Sequence, residues 1–466
     1  MFSKNYVWVI AAVAATGGLL FGFDTGVISG AIPFLQQDFQ LDDSAVENIT
    51  TCGLLGAVLG AVVSGRVSDM VGRKRVIIVA AVVFLVGALW CGCAASVASL
   101  LAARAFLGIA IGIASFSTPL YIAEISPASI RGTLVSMFQL LITIGLLAAF
   151  VSDSALANNS DLQCWRSMFY VGVVPALILL VGMFFLPESP RWLLGKGREA
   201  EAVAVLNKIE DPAQIKNEVE AMKRDILTEA NQMGLVQTFK QKWMVYPIVL
   251  AVFIMFFQQA VGINTVIYYG PSIFLKAGFE GNEAAIFASV SVGVVNVLFT
   301  VLSLFLIDRI GRRRLFFVGM TAMFVALSLI AFCFVRLDSM GSFGPYAIVG
   351  AMLFYIASFA VSMGPLAWVL ITEVFPTNVR GVGSSLGSLS NWAFNSLVVW
   401  TFFKIINWFA SSLGSEALGT AGAFGLFAVV TLVGMLWGYF FIPETKGKRL
   451  EDIEAHWRNG GTPRQL

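Results

Sequence analysis

Charge is scarce in this sequence: only 12% of its 466 residues are charged, whereas 58% are hydrophobic. It has one histidine, His456, and its five cysteines form no Cys-x-x-Cys pair, which argues against a metal site or a disulfide framework. No glycine-rich loop ends in Gly-Lys-Ser/Thr, so ATP is not expected to drive it. The net charge of +2 argues against a nucleic-acid partner. No cofactor and no enzyme activity are indicated.

Long apolar runs are what the sequence has in quantity, with a mean hydropathy of +0.83. A run of about 18 apolar residues is long enough to cross a bilayer as a helix. We therefore predict an all-α membrane protein with twelve transmembrane helices and lipid as its main solvent. The spans are expected near 6–32, 45–64, 76–96, 98–123, 133–153, 166–187, 245–274, 284–306, 314–336, 345–371, 381–409 and 421–442.

Basic clusters at 73–75 and 312–314 lie in the loops between spans two and three and between spans eight and nine. Because cytoplasmic loops carry an excess of lysine and arginine, both loops are predicted to be cytoplasmic. An even number of spans then places both termini on that side. The charged segment between spans six and seven has helical periodicity, which predicts amphipathic helices under the membrane domain.

Three motifs occur twice, in the same order, which indicates two six-helix halves duplicated in parallel. The pairs are Asp69-Met-Val-Gly-Arg-Lys-Arg75 with Asp308-Arg-Ile-Gly-Arg-Arg-Arg314, Glu124-Ile-Ser-Pro-Ala-Ser-Ile-Arg-Gly132 with Glu373-Val-Phe-Pro-Thr-Asn-Val-Arg-Gly381, and Pro187-Glu-Ser-Pro-Arg191 with Pro443-Glu-Thr-Lys446. The predicted domains are an N-terminal half at 1–187, a cytoplasmic helical linker at 188–244, a C-terminal half at 245–442 and a cytoplasmic tail at 443–466.

The repeated motifs all fall at predicted cytoplasmic ends of spans and carry opposite charges that could pair. We predict that these ion pairs break and re-form to hold the cytoplasmic face shut, because a transporter needs two states of similar energy. The alternative is that the arginines only set the membrane topology. The predicted gate residues are Asp69, Arg73, Glu124, Arg131, Asp308, Arg312, Glu373 and Arg380.

Together with Gln258-Gln-x-x-Gly-Ile-Asn264, Gly364-Pro365 and Trp368, these motifs resemble the sugar porter branch of the major facilitator superfamily over nearly the whole chain. The sequence is most similar to bacterial galactose–proton and related sugar–proton symporters. The resemblance implies a major facilitator fold with two pseudo-symmetric halves and alternating access to one central site. It implies a proton-coupled importer of a monosaccharide, a hexose such as galactose or glucose or else a pentose, in the bacterial inner membrane. We expect a monomer to be functional.

A sugar site needs amides, which both donate and accept, and aromatic planes on which the ring can stack. In the seventh span, Gln258, Thr265 and Tyr268 or Tyr269 trace one helical face. Glycine and proline at Gly262, 270–271 and 364–365 are expected to loosen the helices. For any one amide, the alternative is an interhelical hydrogen bond worth about 0.6 kcal/mol. The resemblance implies sugar contacts from Gln139, Gln258, Gln259, Asn264, Asn296, Trp368 and Asn391, with Phe21, Tyr268, Tyr269 and Trp392 lining the path.

One acid, Asp24, lies well inside the first span, in the glycine-rich stretch 17–30. An aspartate at the centre of a membrane helix costs roughly 2.5–3.5 kcal/mol, so it needs a partner or a function. Counting the helical rise from the outer ends places Arg104 of the fourth span at a similar depth. Similar symporters have an acid and an arginine at these positions. We predict that Asp24 binds the proton and that Arg104 modulates it; the alternative is a static ion pair.

Three other functions fit the sequence less well. Asp24 argues against a passive facilitator, because passive members of the resembled family typically have asparagine there. The Gln258-Gln259 and asparagine set argues against a drug or metabolite antiporter. The short polar tail after Pro443 argues against a non-transporting sugar receptor. The sequence does not choose among galactose, glucose, xylose and other monosaccharides.

Overall fold

The computed structural model describes residues 4–127, 130–210, 214–231, 240–375, 379–448 and 450–466, and within these ranges every regular element is helical. In the first part of the chain the helices are α1 Lys4–Asp38, α2 Asp43–Val71, α3 Arg73–Cys93, α4 Val97–Ile125, α5 Arg131–Leu156, α6 Trp165–Val171, α7 Val173–Phe185, α8 Pro190–Gly195, α9 Glu199–Ile209 and α10 Ile215–Asn231.

In the second part they are α11 Val245–Ala260, α12 Ile263–Lys276, α13 Asn282–Ile310, α14 Arg312–Val335, α15 Leu337–Met340, α16 Gly344–Val361, α17 Met363–Glu373, α18 Arg380–Leu413, α19 Glu416–Phe441 and α20 Leu450–Arg458. Three single 3-10 turns lie at Lys242–Met244, Gly341–Phe343 and Pro463–Gln465. Twelve helical segments of the described residues are long and apolar enough to cross a membrane, which confirms the predicted number of spans.

Three of these spans are divided into separate helices. The sixth consists of α6 and α7, the seventh of α11 and α12, and the tenth includes α16 and α17. Gly262 interrupts the seventh span with a left-handed backbone, φ 89°, where an added Cβ would lie 2.5 Å from the Phe427 ring. Tyr269, just before Gly270, has a non-helical backbone. The tenth span breaks at Ser362, shortly before the Gly364-Pro365 pair. The loosening expected from glycine and proline is therefore observed.

The repeated cytoplasmic motif has the same local structure in both halves. Gly72 and Gly311 separate consecutive helices with φ of 107° and 95°, a backbone that favours glycine. An added Cβ would collide with the carboxylate of Glu188 in the first half and would lie 2.6 Å from that of Glu444 in the second. Glycine is required at both positions because a carboxylate from the end of the sixth or twelfth span occupies the space.

Helices α8, α9 and α10 occupy the described part of the predicted linker, and α9 buries Ala202, Leu206 and Ile209 on one face. The predicted amphipathic helices are therefore present. The described residues form two compact units. The first comes from Met1–Ile28, Cys52–Ser152 and Gln163–Gln232, and the second from Ser29–Thr51, Asp153–Leu162 and Met233–Leu466. The domain boundaries proposed at 187, 244 and 442 stay a prediction.

Candidate functional site

The glycines of stretch 17–30 let α1 lie directly against α5. Four of them are spaced four residues apart, so they share one helical face. At each of them an added Cβ would lie closer to atoms of α5 than van der Waals contact allows. This close approach of two backbones is typical of small residues in membrane helices. The glycines are Gly18, Gly22, Gly26 and Gly30, and they face Phe138, Ile142, Ala149 and Asp153 in turn.

We expect Gly22→Ala to lower the thermal stability of the purified protein. The new Cβ would overlap the main-chain carbonyl of Ile142, which cannot rotate away, and such overpacking costs about 1–3 kcal/mol. The matched control is Gly425→Ala on α19, where an added Cβ meets nothing within 4 Å and alanine is the better helix former. The two midpoints of thermal unfolding should move in opposite directions; a stable Gly22→Ala protein would show that α1 and α5 are not in this contact.

The same helix carries Asp24 on another face, where it forms an ion pair with Arg104 of α4. The Arg104 Nη1 donates to Asp24 Oδ1, and the two residues are only 2% and 3% exposed, respectively. Gly53 of α2 leaves room for the guanidinium, since an added Cβ would lie 2.9 Å from Arg104 Nη2. A buried pair of this kind is stable only while both partners stay charged, because removing one charge leaves the other unpaired. Protonation of Asp24 would therefore release Arg104.

Four amide side chains of the second compact unit form one hydrogen-bonded chain. Asn264 Nδ2 donates to Gln259 Oε1 at 2.7 Å, and Gln259 Nε2 donates to Gln258 Oε1 at 3.3 Å. Asn391 Nδ2, from α18, also donates to Gln258 Oε1. These hydrogen-bonded amides thus join the two helices of the seventh span to the eleventh span. Three of them, Gln258, Gln259 and Asn391, are buried, and Asn264 is half-buried.

Gln258 is the centre of this chain and uses all of its hydrogen-bonding capacity. Its Nε2 donates to the carbonyls of Met363 at 3.2 Å and Gly364 at 2.9 Å, and its Oε1 accepts from two amides. An amide has two donor hydrogens and two acceptor lone pairs, so none remains. Among described residues, Gln259, Asn264 and Asn391 keep unused capacity. These three are therefore the amides that can bond a sugar hydroxyl without first losing a partner.

The seventh and tenth spans, which are both broken, are joined by side-chain hydrogen bonds near their breaks. Gln258, near the break of the seventh span, bonds the carbonyls at the start of α17. In return, Tyr355 of α16 donates its hydroxyl to the carbonyl of Val261 at 2.8 Å. Backbone groups freed by a break must find partners where no water is available. These side chains therefore keep both breaks hydrogen-bonded and in register. Sequence reasoning missed Tyr355, which carries no signal beyond its place in an apolar span.

The repeated motifs form the same ion-pair network in each half. Arg73 donates to both Glu124 oxygens at 3.0 Å and pairs with Asp69 at 2.9 Å. Glu188 accepts the main-chain N–H groups of Arg73 and Lys74, each at 3.0 Å. In the second half, Arg312 donates to Glu373 at 2.7 and 3.2 Å, while Glu444 accepts the main-chain N–H of Arg312 and of Arg313.

Each network joins residues of one sequence half, so as described it ties helices of the same half together. Among the described residues, Arg131, also predicted as a gate residue, donates to the Ser126 carbonyl alone, at 3.4 Å. The side chains of Asp308 and Arg380 lie outside the described residues. Sequence reasoning recognised the Pro-Glu-Ser and Pro-Glu-Thr motifs but did not assign Glu188 and Glu444 as the carboxylates that complete the networks.

The family is decided by comparison of the whole sequence with known proteins. The profile of the family described as "Sugar (and other) transporter" matches residues 10–457. The chain belongs to this family. The galactose–proton symporter of Escherichia coli K12 is 35% identical over 468 residues, covering 100% of this chain and 97% of the relative. The glucose transporter of Staphylococcus epidermidis is 36% identical over 455 residues, 98% of both chains.

Solved structures confirm the major facilitator fold of this sugar transporter. An inward open structure of the xylose transporter of Escherichia coli matches with a TM-score of 0.80 and 31% identity, covering 97% of this chain and 100% of that one. A structure of the major facilitator proton:xylose symporter bound to 6-bromo-6-deoxy-D-glucose matches with a TM-score of 0.79 and 31% identity, covering 98% and 100% of the two chains.

The remaining predicted site residues of the sugar transporter have varied surroundings. Tyr269 is fully buried, stacks on Phe402 and donates its hydroxyl to the Val399 carbonyl at 3.2 Å, so in this conformation it packs rather than lines a path. Tyr268 and Trp392 are buried, and Trp368 is half-buried. Asn296 is half-buried and makes no side-chain hydrogen bond to a described residue. Gln139 and Phe21 are half-buried in the first compact unit.

The sugar transporter has a further buried acid in an ion pair, Glu47, which sequence reasoning missed. Glu47, near the start of α2, is fully buried and pairs with Lys404 of α18. Its carboxylate also accepts the main-chain N–H groups of Phe403 at 2.7 Å and Lys404 at 3.3 Å. In a regular helix these N–H groups donate to the carbonyls four residues earlier. Glu47 thus bonds to the main chain of α18 itself. An acid this close to a helix start is ordinarily explained by its favourable interaction with the helix dipole. The sequence therefore did not indicate the ion pair with Lys404.

Proposed function

We propose that this sugar transporter is a proton-coupled symporter that imports a monosaccharide by alternating access. The observation that carries the proposal is the buried ion pair between Asp24 and Arg104. A buried carboxylate that can exchange its arginine partner for a proton couples a conformational change to proton movement. Relatives named as a galactose–proton symporter and an arabinose–proton symporter, 35% and 33% identical, support the same function.

The sugar is proposed to bind at the amide chain of the second compact unit. Gln259, Asn264 and Asn391 offer donors and acceptors that match a ring of hydroxyls. Because the chain is anchored through Gln258 to the break between α16 and α17, bonding a sugar there would act directly on the two broken helices. Gln139, Asn296 and Trp368 are proposed as further sugar contacts.

The order of events follows from these two sites. Protonation of Asp24 releases Arg104, and sugar binding engages the amides beside the helix breaks. The networks around Glu124 and Glu373 tie helices within each half, which supports movement of a half as a body and a gating role for their arginines. We further propose a monomer in a bacterial inner membrane, with both termini cytoplasmic.

The test is sugar-induced proton uptake by the purified protein in liposomes, without an imposed gradient. Adding galactose, glucose, arabinose or xylose outside should make the medium more alkaline only for transported sugars, in the same order in which they compete with a labelled sugar. Protein-free liposomes are the control. Uptake of a competing sugar without alkalinisation would instead identify a passive facilitator.

A further inference from the structure

Asp153 is a second carboxyl buried in the membrane domain, and the mechanism above does not use it. It lies on α5 near the predicted outer end, is 0% exposed, and contacts Gly30 of α1. Neither of its oxygens has a hydrogen-bond partner among the described residues. Asp24, in contrast, is held by Arg104. The two acids of this helix pair therefore have different surroundings: Asp24 is paired with an arginine, whereas Asp153 packs against the Gly30 backbone and has no ion-pair partner among the described residues.

The surroundings of Asp153 suit the neutral acid and not the carboxylate. Burying an ionised carboxylate without a partner costs far more than burying a neutral polar group, so such a group takes up a proton instead. No charged side chain among the described residues forms an ion pair with Asp153. On α1, Gly30 and Ser29 are uncharged and Asp24 is engaged by Arg104, while Glu47 of the same compact unit is engaged by Lys404. Asp153 packed against Gly30 must therefore carry a proton.

The position of Asp153 also suits a group whose surroundings change during transport. The border of the two compact units crosses α1 between Ile28 and Ser29 and crosses α5 between Ser152 and Asp153. The contact between Gly30 and Asp153 is thus the first one beyond the border on both helices. A change in the packing of α1 against α5 at this contact would admit water to the carboxyl.

We propose that Asp153 is a second proton-binding site of the transporter. It takes up a proton when the ends of α1 and α5 pack as described, and it releases that proton to water when they separate. The reaction is the simple binding of a proton by a carboxylate, with the outside medium as its source. The proposal rests on the proposed function only in assigning this proton to the transport cycle.

The first test is infrared spectroscopy of the full-length protein in liposomes. The wild type should show the carbonyl stretch of a protonated carboxyl at neutral pH, and Asp153→Asn should lose it. Asparagine has almost the same shape and imitates the neutral acid, so the variant is expected to fold. An unchanged carboxyl band in Asp153→Asn would overturn the proposal.

The second test separates Asp153 from Asp24 by measuring sugar counterflow against pH in two variants. In Asp24→Asn, counterflow should fall by about tenfold per pH unit once Asp153 ionises. In the double variant Asp24→Asn with Asp153→Asn, counterflow should stay constant over the same range. The same alkaline fall in both variants would overturn the proposal. Persistent uphill accumulation in Asp24→Asn would overturn proton coupling through Asp24. It would not affect the infrared test, which reports the protonation of Asp153 independently.

Discussion

We expect Asp24→Asn to abolish uphill sugar accumulation while sugar counterflow continues. Asparagine keeps the size of the side chain but cannot exchange a proton, so the variant resembles a permanently protonated carrier. A gradient of one pH unit is worth about 1.4 kcal/mol, which supports about tenfold accumulation when one proton moves with each sugar. The variant lacks the coupling site at Asp24, and a proton that Asp153 exchanges with the outside medium alone cannot drive accumulation. The inside and outside concentrations should therefore become equal.

The measurement compares labelled sugar uptake in liposomes with an imposed pH gradient to counterflow without one. The matched control is Asp38→Asn, the same chemical change at the last residue of the same helix, where the side chain is not buried. It should accumulate sugar as the wild type does. Accumulation by Asp24→Asn at the wild-type level would show that the ion pair with Arg104 is only structural.

Gln258→Leu is expected to weaken sugar binding, because Gln258 positions the amides that are proposed to bond the sugar. Leucine fills a similar volume but leaves Asn391, Gln259 and the carbonyls at the start of α17 without their partner. One buried polar group left unpaired costs about 1–3 kcal/mol. A loss of that size in binding corresponds to roughly 5- to 150-fold in affinity. Because several groups lose their partner, the loss of affinity should lie towards the upper end of this range.

Equilibrium sugar binding to the purified protein measures this effect without the proton step. The control is Asn407→Leu on α18, an exposed amide whose Nδ2 reaches Asp43 at 3.3 Å and takes no part in the amide chain. It should bind sugar with wild-type affinity. If Gln258→Leu binds sugar with near-wild-type affinity and unfolds at an unchanged temperature, the amide chain is not part of the sugar site.

Much of the fold could be predicted because membrane helices must be long and apolar and because the halves repeat. The predicted second span, 45–64, became α2 from Asp43 to Val71, since a helix continues past its apolar run. The sixth, seventh and tenth spans were predicted as single segments, and the structure divides each of them. Gly262 and the Gly364-Pro365 pair had signalled two of these divisions, whereas the division at Gly172, which Pro175 follows three residues later, was not predicted.

The candidate site was less predictable because its members come from distant parts of the chain. Helical rise alone placed Asp24 and Arg104 at one depth, and the structure brings them into contact. Helical phase could not show that Gln258 would use all of its hydrogen-bonding capacity, since two of its partners are main-chain carbonyls of another helix. Tyr269 was predicted to line the sugar path. In this conformation its hydroxyl donates to the Val399 carbonyl and its ring stacks on Phe402.

The sequence by itself determined the class of protein, the number of spans, the duplication and the presence of one carboxylate among apolar residues. These properties depend on local hydrophobicity and on repeated motifs, which are readable along the chain. Tertiary structure alone decided which buried acid has a partner: Asp24 pairs with Arg104, whereas Asp153 packs against the Gly30 backbone and has no ion-pair partner among the described residues. The reason is that the cost of a buried charge depends on the few atoms around it, and those atoms are set by the packing of helices far apart in sequence.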